Sequence, residues 1–111
     1  MIERSRQGAI TVIGSDDPLT ADHVADAAAA LQDCFGDGPP MAILDMARIP
    51  LLDSAGLELL LNAHDSFAER GGAFKLAGAN PLCQDILSVT GVADELEVYD
   101  ELTLAVRSFL R

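Results

Sequence analysis

Basic residues are scarce. The 111-residue chain holds seven lysines and arginines against eighteen aspartates and glutamates, a formal net charge of -11. Nucleic acids and anionic membranes are gripped through phosphates by clustered cations, so this balance argues against both as partners. It favours a protein partner with a basic surface. Cysteine is limited to Cys34 and Cys83, far apart in the chain and outside any C-x-x-C pair. With no signal peptide in view, both are expected to be reduced core residues of a cytoplasmic protein. No apolar run approaches the roughly eighteen residues that span a bilayer, so no direct membrane contact is expected.

The marks of enzyme chemistry are also missing. There is no G-x-S-x-G, no G-x-G-x-x-G and no G-x-x-x-x-G-K phosphate loop. His23 and His64 stand alone, and His64 falls on an apolar helical stripe, where a satisfied core-edge histidine is expected. Metal ligands do not cluster. Asp53 beside Ser54 is not a base and nucleophile by adjacency, because a base must lie within hydrogen-bond reach in the fold. The chain therefore reads as a binding protein, not an enzyme, with no cofactor and no metal.

Half of the residues are apolar, so the chain is globular, and its length fits one domain over residues 1–111. Helical patterns alternate with short apolar runs, which makes the class α/β. Residues 2–6 and 9–13 predict a hairpin turning at Gln7-Gly8. Thr20 is placed to cap a helix reaching about Phe35, with Val24, Ala27, Ala28, Leu31, Cys34 and Phe35 on its apolar face. Residues 41–46 are apolar apart from Asp45, as in a strand covered on both faces. A second helix is predicted from Ser54 to about Arg70, its inner face being Leu57, Leu60, Leu61, His64, Phe67 and Ala68. Residues 73–77 predict a strand. Asn80 and Pro81 open a third helix, with Leu82, Cys83, Ile86, Leu87 and Val89 inward up to Gly91. A short strand at 96–99 and a last helix capped by Asp100 complete a β-β-α-β-α-β-α-β-α order.

The stretch from Leu51 to Leu61 organises the rest. An apolar run ends in Asp53-Ser54-Ala55-Gly56 and passes straight into a strongly apolar helix. Asp and Ser accept hydrogen bonds from first-turn amides, and small Ala55 and Gly56 admit a close neighbour. A helix start carries unpaired amides and partial positive charge, so it also suits a phosphate. Ser54 is thus either an ordinary cap or a presented hydroxyl. Asp16-Asp17 is either a solvated turn or part of a partner surface.

Asp45-Met46-Ala47-Arg48-Ile49-Pro50-Leu51-Leu52-Asp53-Ser54-Ala55-Gly56-Leu57 resembles the signature segment of STAS domains, specifically of bacterial anti-sigma-factor antagonists. The resemblance continues through Arg70-Gly71-Gly72 to Gly78 and through Leu87 to Val92. It implies a single STAS-type domain, a mixed sheet of four to five strands flanked by about four helices. It implies a switch as well. Ser54 becomes the site phosphorylated by a partner serine kinase that is itself the anti-sigma factor. The unphosphorylated form binds that kinase, and a serine/threonine phosphatase resets the switch. Asp17, Leu51, Asp53, Ser54, Ala55, Gly56 and Leu57 become the partner-binding residues. The family's Gly-Glu-hydrophobic-Asp turn reads Gly14-Ser15-Asp16-Asp17 here, and Ala55 replaces a frequent second hydroxyl. The alternatives are an unphosphorylated STAS subunit of a lipid or solute transport assembly, or a signalling scaffold module.

Overall fold

Five strands form one sheet in the computed structural model, which describes residues 1–110. Strands β1 (Ile2–Gln7) and β2 (Ile10–Ser15) pair antiparallel as a hairpin. There follow α1 (Val24–Gln32), β3 (Met41–Asp45), α2 (Ser54–Glu69), β4 (Ala73–Ala77), α3 (Pro81–Val89), α4 (Val92–Glu95), β5 (Val98–Tyr99) and α5 (Leu102–Phe109). The strands lie side by side in chain order, and β2 to β5 run parallel. Parallel neighbours need a crossover, which the helices supply. The loops after β2, β3 and β4 therefore gather at one end of the sheet.

Burial explains why the central strands read as continuous apolar runs. Ile10 to Ile13 are all buried, as are Ala42, Ile43 and Leu44. One face carries Ile13, Ala42, Leu44, Phe74 and Leu76 beneath Leu31, Leu60, Phe67, Cys83 and Leu87 of the helices. Phe67 is fully buried, and its ring lies 5.2 Å from Phe35 and 5.5 Å from Phe74, centroid to centroid. The other face, Ile10, Ile43 and Ala77, is covered by α5 through Ala105. Lys75, the chain's one lysine, is buried on that side. A buried charge needs partners. The Lys75 ammonium finds Ser108 Oγ at 2.8 Å, Glu97 Oε2 at 3.4 Å and the Phe109 ring at 4.2 Å. Gly72 fits under the loop before β3: a Cβ there would meet the Pro40 carbonyl oxygen at 1.9 Å.

Several expected boundaries move. Helix α1 begins at Val24, not at Thr20, and its N-cap His23 makes no side-chain capping bond. The Ala21 amide donates to the Asp53 carboxylate and the Leu19 amide to the Leu51 carbonyl, so this segment is tied to the start of α2. A turn closed onto the Thr20 carbonyl precedes α1 instead. The helix also ends at Gln32, so Phe35 lies beyond it. In α2 the buried stripe is Gly56, Leu60, Ala63 and Phe67, at spacings of four, three and four, which leaves Ala68 exposed and His64 half-buried. In α3 only Cys83 and Leu87 are buried, and Val89 is 83% exposed because it lies on the opposite face, along with exposed Leu82. An extra turn, α4, precedes β5, which spans two residues, while Leu96 stays in the core. The cap of α5 is Glu101, without a side-chain bond, rather than Asp100.

Phe67 joins α2 to both α1's end and the sheet. Replacing it with alanine should cost about 3–5 kcal/mol, the usual range for a fully buried phenylalanine. Urea unfolding followed by far-UV circular dichroism will measure the loss.

Candidate functional site

The segment between β3 and α2 is anchored from within and clamped from both sides. The Met46 amide donates to the Ala77 carbonyl at 2.7 Å, and the Asp45 carboxylate accepts from the Ala47 amide at 3.1 Å. Ile49 and Leu52 are buried, while Leu51 between them is 41% exposed. On one side Leu19 lies parallel to Leu52 as an isolated bridge. Its amide donates to the Leu51 carbonyl at 2.9 Å, and its carbonyl accepts from the Asp53 amide at 3.3 Å. On the other side the Asn80 side-chain amide donates to the Ile49 and Pro50 carbonyls, each at 3.2 Å. The Asn80 oxygen meanwhile accepts from the Cys83 amide at 2.8 Å and so caps α3.

Asp53 is the N-cap of α2, with extended backbone. Its Oδ1 accepts from the Gly56 amide at 3.0 Å and its Oδ2 from the Ala21 amide at 3.1 Å. These amides, the Gly56 amide above all, hold its carboxyl below the ordinary value of 3.8. One carboxylate therefore starts α2 and ties down the β2–α1 loop. With both oxygens turned to amides, Asp53 is not placed to take a proton from Ser54. Gly56 lies beneath that same loop: a Cβ on it would meet the Leu19 carbonyl oxygen at 2.1 Å.

Ser54 is the first residue of α2 and is exposed. Among the described residues its hydroxyl has no hydrogen-bond partner. Ala55 and Leu57 are half-buried next to it, and Leu57 packs against the core. Asp17 reaches this end of the sheet through Leu19, two residues on. Its carboxylate holds the Met1 amino group, as Asp16 does at 2.9 Å, and lies 3.9 Å from His23 Nδ1. Arg48 spans Asp16 at 3.3 Å and Glu3 at 3.8 Å. The structure thus brings Asp17, Leu51, Asp53, Ser54, Ala55 and Leu57 to one end, with Gly56 supporting them from below. Leu19, Ala21, Arg48 and the Asn80 bridge were not anticipated. The one available signal was Leu19, an apolar residue inside the polar run Asp-Asp-Pro-Leu-Thr. No cluster of three or more metal-ligating side chains occurs among the described residues, and none of their helices is long and apolar enough to cross a membrane.

Comparison with protein families matches residues 1–105 to the STAS domain. Among solved structures, a candidate anti-sigma factor antagonist from Thermotoga maritima superposes with a TM-score of 0.91 at 20% identity, covering 99% of this chain and 95% of that one. An anti-sigma-factor antagonist (STAS) domain protein from Planctomyces limnophilus gives 0.86 at 22% identity, covering 99% and 98%. A sulfate transporter family protein from Wolinella succinogenes gives 0.79 at 23% identity, covering 94% and 87%. At these identities the likeness is one of fold. Among curated proteins no sequence match is found.

Two substitutions probe the clamp. Gly56→Ala forces the Leu19 carbonyl away and should destabilise by about 1–3 kcal/mol, as overpacking does. Asp53→Asn tests the charge. A lowered carboxyl contributes stability that is present above its unfolded value and lost as pH falls through the folded one. The stability gap between wild type and Asp53→Asn should therefore be constant above about pH 5 and close below 3.8, read by urea unfolding across pH.

Proposed function

The chain belongs to the STAS-domain family, and from that premise we propose that it is an anti-sigma-factor antagonist of a cytoplasmic partner-switching pathway. It acts by binding, not catalysis. Its partner is an anti-sigma-factor serine kinase, engaged while Ser54 carries a free hydroxyl. Phosphorylation of Ser54 by that kinase releases it, and a serine/threonine phosphatase restores binding. The observation that carries this reading is the exposed Ser54 hydroxyl, without a hydrogen-bond partner among the described residues, on a backbone fixed by Leu19, Asp53 and Asn80.

The proposed contact surface is Leu51, Asp53, Ser54, Ala55 and Leu57, with Asp17 at its rim and Gly56 shaping it from beneath. Leu51 supplies apolar area. Asp17 and Asp53 supply the acidic edge that a basic rim would meet. A phosphoserine adds about -1.5 to -2 charge at neutral pH. A partner closing over it must desolvate that charge, at a cost of about 2–5 kcal/mol where no countercharge waits.

A second reading has its own support. The Wolinella neighbour shares the fold and belongs to a sulfate transporter family, so the same end could dock in a transport assembly without phosphorylation. A signalling scaffold would likewise use the surface unmodified. The test is incubation with the cognate kinase and ATP, followed by mass spectrometry. Wild type should gain one phosphate and Ser54→Ala none, while Ser54→Ala should still bind. Ser54→Asp should weaken binding by roughly 30-fold or more in titration calorimetry. No phosphate on wild type, or equal phosphate on Ser54→Ala, moves the transport and scaffold readings ahead.

A further inference from the structure

A concavity lies at the end of the sheet opposite Ser54, where the parallel strands begin. It has a volume of about 360 Å³, within the range of small-ligand sites. Its walls are β1, the start of β2, Asp33 and Cys34 just past α1, and the 36–40 turn that leads into β3. The length of β3 separates it from Ser54, roughly 15 Å at about 3.3 Å per residue.

The side chains that meet there differ from the rest of this acidic chain. Arg4 and Arg6 both line the cleft, two of the seven basic residues in the sequence. Arg4 is paired with Asp33 at 3.2 Å. Arg6 donates only to the Gly8 carbonyl, at 3.5 Å, and among the described residues no carboxylate lies within ion-pair distance of it. Thr11, buried, and Cys34, half-buried, also line the cleft. Burial raises the Cys34 pKa, so its thiol stays neutral and does not repel an anion. The remaining lining carboxylate, Asp37, is exposed between Gly36 and Gly38, where water solvates its charge. The net charge of -11 opposes anions at long range, but salt screens it beyond about 8 Å; within the cleft two arginines face two aspartates, and Arg6 is the guanidinium left without a carboxylate partner among the described residues.

We propose that this cleft binds a compact organic anion, its phosphate or carboxylate held by Arg6 and Arg4 and its polar body resting on Thr11. A planar guanidinium suits both head groups because it offers parallel donors to two oxygens. Such a site stands apart from the Ser54 surface and does not depend on how that surface is used.

The test is a titration of ¹⁵N-labelled full-length protein with inorganic phosphate and, separately, with citrate. Both are compared with sodium chloride at matched ionic strength. The expected result is a saturable set of shifts at Arg6, Thr11 and residues 36–38 with at least one of the two anions. The anion that gives it identifies the head group. Arg6→Gln, at an exposed position whose one hydrogen bond among the described residues is the 3.5 Å contact to the Gly8 carbonyl, should weaken binding about tenfold, as expected for loss of a charged hydrogen-bond donor. Arg107→Gln, an arginine outside the cleft, should leave it unchanged. The proposal is overturned if neither anion gives saturable shifts beyond the chloride control. It is equally overturned if Arg6→Gln binds as well as wild type, or if Arg107→Gln loses as much.

Discussion

The Leu19 carbonyl oxygen occupies the space where any side chain at position 56 would begin. That approach lets an otherwise polar loop lie flat on the first turn of α2. Once there, Leu19 pairs with Leu52, and the Ala21 amide comes within reach of the Asp53 carboxylate. Three hydrogen bonds and a buried leucine follow from one absent Cβ. The position of Ser54 is consequently set by its neighbours' backbone rather than by contacts of its own side chain. This arrangement suits recognition, because an ordered backbone lowers the entropy lost on binding while the hydroxyl stays free.

The second clamp has a different character. Asn80 uses its carboxamide in both senses, accepting from the Cys83 amide and donating to the Ile49 and Pro50 carbonyls. It therefore fixes the distance between the start of α3 and the segment before Ser54. Outside these clamps the contacts turn ionic and exposed. Arg48, Asp16, Asp17, Glu3 and the Met1 amino group form a network at the rim. Exposed pairs contribute little to stability and are screened by salt. The end of the sheet thus has a stiff centre around Leu52 and Asp53 and an adaptable charged border.

Much of this was legible in the sequence, and the failures have physical causes. The buried run at β3 is legible because a strand covered on both faces leaves no polar alternation, whereas residues 9–13 read only as one arm of a hairpin and the burial of both their faces does not show. The Asp53 and Asn80 caps were legible because capping is local chemistry. What could not be read was the second half of each side chain's work. Nothing near Asp53 in sequence indicates that its other oxygen reaches Ala21, thirty-two residues away, or that the Asn80 carboxamide reaches back thirty-one residues to Ile49. Lys75 alternates with apolar Phe74 and Leu76 along β4, and nothing local shows that α5 folds over it. Val89 looked inward only because apolar residues crowd α3 more densely than one face can hold. Its stripe is set by Cys83 and Leu87, four residues apart.

The capping role of Asp53 also decides how a charge at Ser54 would be felt. A helix start ordinarily welcomes an anion through its free amides and dipole. Here the Gly56 amide is already given to Asp53, and the carboxylate that takes it remains ionised through the neutral range. A phosphate on the next residue would find much of the local positive potential neutralised and a fixed negative neighbour beside it. It would gain little from the helix and would be held outward, toward solvent. The fold itself would register little change, because the Ser54 hydroxyl has no partner among the described residues to lose. The cost of the charge therefore falls on whatever surface must close over this end of the sheet. The switch proposed above would therefore reside in the interface and not in the protein's own conformation.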